Sequence, residues 1–132
     1  IGFDMGGTST DCSTIVGFTP SFTTSFEIEW GLPIQVPMID IRTIGAGGGS
    51  VAWVDKGGLL NIGPESAGST PGPVAYGQGN TRPTVTDANV VLGYLPSDVK
   101  LGGAMTIDRD AAEKAVQTIA DAVLQYQEER RS

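Results

Sequence analysis

A short stretch near the start of the chain holds the side chains whose types and spacing could do chemistry. Asp4 lies just before two adjacent glycines, Gly6 and Gly7, and a second acid, Asp11, follows three hydroxyl residues, Thr8, Ser9 and Thr10. Adjacent glycines let a backbone turn tightly and bring its N–H groups against a phosphate, and the hydroxyls add donors. Asp4 could hold a hydrated Mg²⁺, and Asp11 could do the same or orient a water. We predict a site for nucleotide phosphate in which Asp4 and Asp11 are the catalytic residues. The alternative is a β-hairpin with a polar tip.

The elements around this stretch are predicted to be strands. Segments 1–5 and 10–18 should pair about the glycine turn, which gives a phosphate-binding hairpin over residues 1–18. Segment 21–30 alternates apolar and polar residues and is predicted as the third strand of an antiparallel meander. The apolar segment 34–44 contains Pro37 and predicts a loop that enters a short strand or a helical turn.

The rest of the chain contains a second hairpin and two helices. Residues 51–55 and 59–62 should form the hairpin, and a loop rich in glycine and proline should follow over 63–83. A short helix should begin with Thr86 or Asp87 as its N-cap. The longer helix is predicted over about 108–128, capped by Asp108 or Asp110, with core positions at Ala112, Val116, Ile119, Val123 and Tyr126. The predicted fold class is therefore α/β, with an antiparallel meander and a long C-terminal helix in a single domain.

Composition excludes several classes of function. The 132 residues carry a net charge of −7 with only eight Lys and Arg, so no basic surface for nucleic acid is expected. The sequence contains no run of about 18 apolar residues, so no membrane span is predicted. One cysteine and no histidine exclude an internal disulfide, a Ser-His-Asp or Cys-His site and a histidine-ligated zinc site. Cys12 is predicted to be a small buried apolar residue, and this cysteine usage favours a cytoplasmic location.

A second glycine-rich loop, residues 45–50, allows two interpretations. Gly47 and Gly48 either bring backbone close to a bound cofactor or to the first hairpin, or they belong to a tight structural loop. Asp40, Asp87 and Asn89 could line the same cleft as these glycines. For Asp87 the alternative role is to cap a helix. Glu65 and Ser66 are predicted to lie on a loop, where they would contact solvent, a partner or substrate.

The order of these motifs resembles the hydantoinase A/5-oxoprolinase family, which includes subunits of the acetone carboxylase type. The resemblance is carried by DMGGTSTD, IDIRTIGAGGGSVAWVD, GPESAG, PGP, AYG and PTVTDANVVLGYL, and it covers nearly the whole chain. It implies part of an actin/hexokinase/Hsp70-like ATPase fold, which is ribonuclease H-like. In that fold two related halves each present an acid-Gly-Gly-Thr hairpin to one ATP. On this resemblance, Asp4 and residues 6–11 fall on the hairpin of the second half.

The resemblance also implies an activity. It is the ATP- and Mg²⁺-dependent opening of a cyclic amide of the hydantoin or 5-oxoproline type, or the carboxylation of a ketone, through phosphoryl activation of the carbonyl. A non-catalytic fragment or subunit and a kinase-like phosphotransferase are the alternatives. Because only one such hairpin is present, we expect an excised domain or fragment that is inactive without the missing half or a partner subunit. We also expect self-association through uncovered aromatic residues, namely Phe22, Phe26, Trp30 and Trp53.

Overall fold

The chain folds as a mixed α/β structure. The computed structural model describes residues 1–24, 36–98 and 100–131, and the backbone of 26–28 and 32–34. The strands are β1 (Gly2–Met5), β2 (Thr10–Ser13), β3 (Ile15–Val16), β4 (Thr19–Pro20), β5 (Phe22–Thr23), β6 (Phe26–Ile28), β7 (Leu32–Ile34), β8 (Met38–Ile39), β9 (Ile41–Ile44), β10 (Ser50–Val54) and β11 (Leu60–Ser66). The helices are a 3₁₀ helix (Val74–Tyr76), α1 (Val85–Val91) and α2 (Arg109–Glu129).

The predicted hairpin at the start of the chain is present. Strands β1 and β2 pair antiparallel, with Asp4 opposite Asp11 and Met5 opposite Thr10, so the two glycines fall in the connecting turn. Strand β2 ends at Ser13 instead of continuing to residue 18. The chain turns again at Gly17 and Phe18, which both have positive φ, as a two-residue hairpin turn of type I′ requires.

The third strand of this sheet is β9, so the prediction that segment 21–30 fills that place was wrong. Strand β9 pairs antiparallel with the far edge of β2. Segment 21–30 holds the short strands β5 and β6, which pair with β8 and β7 in an arm between β2 and β9. Alternating polarity predicts a strand but does not identify its partner, and here a partner lay closer along the chain. Trp30 and the side chain of Phe26 lie outside the described residues.

The second predicted hairpin is also present and is longer than expected. Strand β10 pairs with β11, and β11 continues to Ser66, so the first residues of the predicted 63–83 loop are strand. Its turn is organised by Asp55, whose Oδ1 accepts hydrogen bonds from the N–H groups of Gly57 (2.8 Å) and Leu59 (3.0 Å). The Asp55 Oδ2 accepts one from the Asn61 amide. The hydrogen bonds from Leu59, Asn61 and Gly57 hold the pKa of Asp55 below its ordinary value of 3.8.

This turn predicts a specific dependence of stability on pH. Because the pKa of Asp55 is lower in the folded protein, the ionised carboxylate contributes stability above pH 3.8, and that contribution is lost as the pH falls through the folded pKa. We expect Asp55→Asn to lower the melting temperature modestly at pH 7. The difference from wild type should shrink steadily below about pH 4. Thermal unfolding of both proteins from pH 7 to pH 2.5 measures this, and a difference that is constant with pH would contradict it.

The helices pack around a small apolar core. Ala75 of the 3₁₀ helix, Val90 of α1 and Ala112 of α2 are buried together with Ile107. Helix α2 lies in the predicted segment, and its N-cap is Asp108, whose side chain accepts from the Ala111 N–H, so Asp110 is not the cap. Each helix thus contributes its apolar side to one cluster.

Helix α1 begins two or three residues earlier than predicted, because its N-cap is Thr84. The Thr84 hydroxyl accepts from the Asp87 N–H, and the Asp87 side chain accepts from the Thr84 N–H, which is a capping box. The Asp87 carboxylate is fully buried and also accepts from the N–H groups of Val74 (3.1 Å) and Ala75 (2.8 Å). Asp87 therefore caps α1 at the third helical position and fixes the 3₁₀ helix to it.

Several large apolar side chains are uncovered in the chain. Phe3, Met5 and Ile44 lie on one face of the β1–β2–β9 sheet and are 44–64% exposed. Phe22 is exposed, while Trp53 is 40% exposed and donates its indole N–H to the Gly63 carbonyl. Self-association through such surfaces stays a prediction. No helix in the described part of the chain is long and apolar enough to cross a membrane.

Candidate functional site

The turn between β1 and β2 presents backbone donors at its tip. The Gly6 N–H donates to the Ser9 carbonyl at 2.8 Å and closes the turn. The N–H groups of Gly7 and Thr8 donate to no group among the described residues, and both residues are exposed. Adjacent free N–H groups on a tight turn form a concavity that suits an anion. The geometry is therefore compatible with the predicted phosphate contact by this turn, which stays a prediction.

The second glycine-rich loop packs directly on this turn, backbone against backbone. The N–H groups of Gly48 and Gly49 donate to the carbonyls of Gly6 (2.9 Å) and Gly7 (2.6 Å). A Cβ on Gly47 would lie 2.6 Å from the Gly6 oxygen and 2.7 Å from the Ser9 nitrogen, so no larger residue fits there. The loop thus approaches the first hairpin closely, as one of the two interpretations proposed. Gly47 is buried, and Gly48 lines a cavity beside the turn.

This contact predicts a sharp difference between two glycines of one loop. Gly47→Ala should destabilise the protein by about 2–3 kcal/mol, because the methyl group meets backbone atoms that have little freedom to move. Gly45→Ala is the matched control: its Cβ would meet nothing within 4 Å, so its effect should stay within about 0.5 kcal/mol. Chemical denaturation of both variants measures the difference, and equal stabilities would contradict the backbone contact.

The two acids of the hairpin lie side by side on one face of the sheet. Asp4 is directly opposite Asp11, and Thr43 is opposite Asp11 on the other side, where its hydroxyl donates to Asp11 Oδ1 at 2.6 Å. Two carboxylates directly opposite each other repel, and a cation between them would relieve that repulsion. Both acids line a cleft of about 210 Å³. One or two carboxylates completed by water and phosphate oxygens is a donor set that Mg²⁺ prefers, so Asp4 and Asp11 fit that ion. No group of three or more potential metal ligands occurs among the described residues.

A second cavity, of about 510 Å³, lies on the other side of the glycine turn. Its walls come from the two glycine loops, the 3₁₀ helix, α1 and the segment after α1. The lining residues are Met5, Gly6, Gly7, Gly48, Tyr76, Thr86, Asn89, Tyr94 and Leu95. Asn89 is the member of this set that the sequence predicted for a cleft.

The other predicted residues have different surroundings. The Thr10 hydroxyl is buried and donates to the Ala46 carbonyl at 2.5 Å, so it has no proton left for a phosphate. Asp40 pairs with Arg42 (3.2 Å) outside both cavities. Cys12 is half-buried rather than buried.

Glu65 and Ser66 lie at the end of strand β11 and not on a loop as predicted, and both have local partners. Glu65 forms an ion pair with Arg82 at 2.7 Å, and both side chains are exposed. The Ser66 hydroxyl accepts from the Gly68 N–H at 3.1 Å. Neither residue lines the cavities that adjoin the hairpin.

Among the residues that line or support the two cavities, sequence reasoning missed two threonines and two tyrosines. These are Thr43, Tyr76, Thr86 and Tyr94. Thr43 lies beside Asp11 because β9 pairs with β2, so its place in the site could have been predicted only by identifying β9 as the partner of β2. The other three come from separate segments that meet only after the helices pack, so local spacing gave no signal for them.

Comparison with known proteins identifies relatives across nearly the whole length of the chain. A family model described as Hydantoinase/oxoprolinase matches residues 1–129. The chain is 48% identical to the caprolactamase subunit alpha of Pseudomonas jessenii over 87% of its own length and 16% of that protein. It is 44% identical to the 5-oxoprolinase of Dictyostelium discoideum over 97% of its own length and 10% of that protein.

Solved structures of proteins related to these match the fold of this chain. The structure of the ATP-dependent caprolactamase from Pseudomonas jessenii matches with a TM-score of 0.67 and 40% identity, over 94% of this chain and 19% of that one. A nucleotide-free acetone carboxylase, from a study of ATP-dependent acetone carboxylation, matches with a TM-score of 0.66 and 30% identity, over 92% of this chain and 18% of that one. The chain therefore spans less than a quarter of the length of each of these relatives.

Proposed function

The chain belongs to the hydantoinase/oxoprolinase family, and from that premise we propose that it forms one phosphate-binding part of an ATP-dependent enzyme that opens cyclic amides. The substrates would be of the hydantoin or 5-oxoproline type. The enzyme would activate the ring carbonyl by transferring a phosphoryl group from ATP to its oxygen, which makes the carbonyl carbon a better electrophile for water before the ring C–N bond breaks.

The observation that carries this proposal is the β1–β2 hairpin. The free N–H groups of Gly7 and Thr8 lie at the tip of its turn. A pair of carboxylates lies behind the tip, with Asp4 three residues before Gly7 and Asp11 three residues after Thr8. Donors for phosphate oxygens and anchors for the accompanying cation are thus carried by one rigid element. Phosphoryl transfer depends mainly on such positioning and charge stabilisation.

Each residue of the hairpin has a role in this proposal. The turn binds phosphate oxygens through its backbone, and the Thr8 and Ser9 hydroxyls lie close enough in sequence to add donors. Asp4 would hold Mg²⁺ directly or through water, with Asp11 beside it and the Thr43 hydroxyl orienting Asp11. When bound, that ion would neutralise charge that builds up on the transferred group. The carboxylates alone would repel the phosphates, so this assignment depends on the ion.

Finer features of the family are also part of the proposal. We infer that the chain is a portion of an actin-like ATPase fold, in which a second half contributes another hairpin to the same ATP. Names such as caprolactamase subunit alpha and acetophenone carboxylase gamma subunit support a partner subunit for the whole protein. A cytoplasmic location fits the single cysteine.

A second candidate function is ATP-dependent carboxylation of a ketone. The likeness to acetone carboxylase favours it, at 30% identity and a TM-score of 0.66. Both reactions can begin with activation of an oxygen by phosphoryl transfer from ATP, and the hairpin serves either. They differ in the second reactant, which is water for ring opening and bicarbonate for carboxylation.

Phosphate release by the full-length protein tests the proposal. The protein is incubated with ATP, Mg²⁺ and either hydantoin, 5-oxoproline or caprolactam, or with acetone and bicarbonate, and products are identified by mass spectrometry. We expect phosphate release that depends on a cyclic amide and yields the ring-opened acid. Release with acetone and bicarbonate alone would favour carboxylation, and release with none of these would contradict both. The 132-residue chain by itself should release none, because its sequence carries one hairpin of the acid-Gly-Gly-Thr type where the proposed ATPase fold needs two.

A further inference from the structure

Two cavities that flank one turn differ in their chemistry. The cleft on one side of the β1–β2 hairpin contains two carboxylates, Asp4 and Asp11. The larger cavity on the other side has no charged side chain among the described residues that line it. The uncharged cavity adjoins the turn at Gly6 and Gly7 but has no carboxylate for a cation, so it is poorly suited to hold the whole metal-bound triphosphate. The acidic cleft with its cation is the better place for the metal-bound phosphates.

The uncharged cavity has the composition of a site for a small neutral molecule. Its volume of about 510 Å³ lies within the range of small-molecule sites. Met5, Leu95 and the rings of Tyr76 and Tyr94 give it apolar surface that can cover a hydrocarbon ring. Gly6 and Gly7 form one wall, so a molecule held here lies beside the turn that is proposed to bind phosphate.

Asn89 is the polar group in this cavity that is best suited to recognise an amide. It lies on α1 and is half-buried, and its side-chain amide forms no hydrogen bond with another part of the chain that the structure describes. Its backbone carbonyl accepts from the N–H groups of Tyr94 (2.9 Å) and Leu95 (3.2 Å), which holds that segment against the cavity. The residue is therefore fixed by its backbone while its carboxamide is left free.

We propose that this cavity binds the phosphoryl acceptor, an uncharged cyclic amide, and that Asn89 is a specificity-determining residue that pairs with its amide group. The inference rests on the proposed function. In a small ring the amide is cis, so its N–H and C=O lie on one edge and match the donor and acceptor of a carboxamide. When Asn89 accepts the ring N–H, electron density shifts toward the carbonyl oxygen. That oxygen then forms a bond to the γ-phosphorus while the bond to the β-γ bridging oxygen breaks and ADP leaves.

The test separates binding from turnover in the full-length protein. The dissociation constants of caprolactam and hydantoin are measured by ligand-observed NMR without nucleotide, and that of a non-hydrolysable ATP analogue is measured separately. Asn89→Leu should weaken binding of both amides about tenfold, because the ring N–H and C=O lose their partner, and should change the affinity for the analogue less than about twofold. Asn89→Ala, which removes the whole carboxamide and suits a helix, repeats the test if the leucine variant unfolds. Gln117→Leu, an exposed amide on α2, is the matched control and should change neither constant.

Each outcome distinguishes the inference from the proposed function. Unchanged amide binding in both Asn89 variants overturns the inference, as does a loss of affinity for the ATP analogue instead. Failure of both amides to bind the wild-type protein also overturns it. Binding that depends on Asn89 without any phosphate release upholds the cavity and contradicts the proposed function. Normal turnover of a cyclic amide by both variants upholds the proposed function and contradicts the inference about Asn89.

Discussion

Replacing Asp4 by alanine in the full-length protein should lower the rate of ATP-dependent turnover at least about a thousandfold. The Asp4 carboxylate is exposed and lies directly opposite Asp11, so its loss removes one of the two anchors proposed for the cation. Stabilisation of developing charge by a bound ion is worth several kcal/mol, and about 4 kcal/mol corresponds to this factor. Steady-state phosphate release over a range of Mg²⁺ concentrations measures the effect.

The same variant should keep or slightly increase the stability of the fold. Removing one of two opposed carboxylates relieves a repulsion of roughly 0.2–1 kcal/mol. Asp40→Ala is the matched control, since Asp40 is also an acid near this sheet but pairs with Arg42 away from the cleft, and it should keep near-normal turnover. A near-normal rate for Asp4→Ala at saturating Mg²⁺ would remove Asp4 from the site.

Replacing Asp87 by alanine should destabilise the protein by about 4 kcal/mol. The carboxylate is fully buried and accepts hydrogen bonds from the N–H groups of Val74, Ala75 and Thr84 and from the Thr84 hydroxyl. Alanine would leave these buried donors without an acceptor, and each such loss costs about 1 kcal/mol or more. Denaturant unfolding monitored by circular dichroism gives the change in the free energy of unfolding.

Two further variants make this test specific. Asp87→Asn keeps the shape but puts an NH₂ group where donors converge on both oxygens, so it should be nearly as damaging as alanine. Asp108→Ala removes the N-cap of α2, which makes a single side-chain bond to the Ala111 N–H, and should cost only about 1 kcal/mol. Equal losses for Asp87→Ala and Asp108→Ala would show that the buried network contributes little.

Local signals predicted the elements of this fold better than their partners. The glycine turn between Asp4 and Asp11, the β10–β11 hairpin and α2 each follow from residues that are adjacent in sequence. The choice of β9 as the neighbour of β2 depends on residues about 30 positions apart, and alternation carries no information on it. The N-cap of α1 was missed although a local signal marks it, since Thr84 has an acid three residues later and Thr86 does not.

The candidate site was predictable only where one element carries it. The hairpin residues could be selected by type and spacing, but the Thr10 hydroxyl turned out to bind the Ala46 carbonyl, because strand pairing turns that side chain inward. The uncharged cavity draws on five separate segments of the chain. Tyr76, Thr86 and Tyr94 meet there through packing of α1 and the 3₁₀ helix, so no spacing rule could place them together.

The contacts of neighbouring glycines in the second loop limit how this chain can change over evolutionary time. A Cβ at Gly48 would meet chiefly the Thr86 hydroxyl, at 2.6 Å, so a second substitution such as Thr86→Ala can make room for it. The three atoms nearest to a Cβ at Gly47 are backbone atoms of Gly6, Gly7 and Ser9, and backbone cannot be made smaller by any substitution. Position 48 can therefore drift through compensated pairs of mutations, whereas position 47 has no such route and is fixed as glycine for as long as the two loops remain in contact.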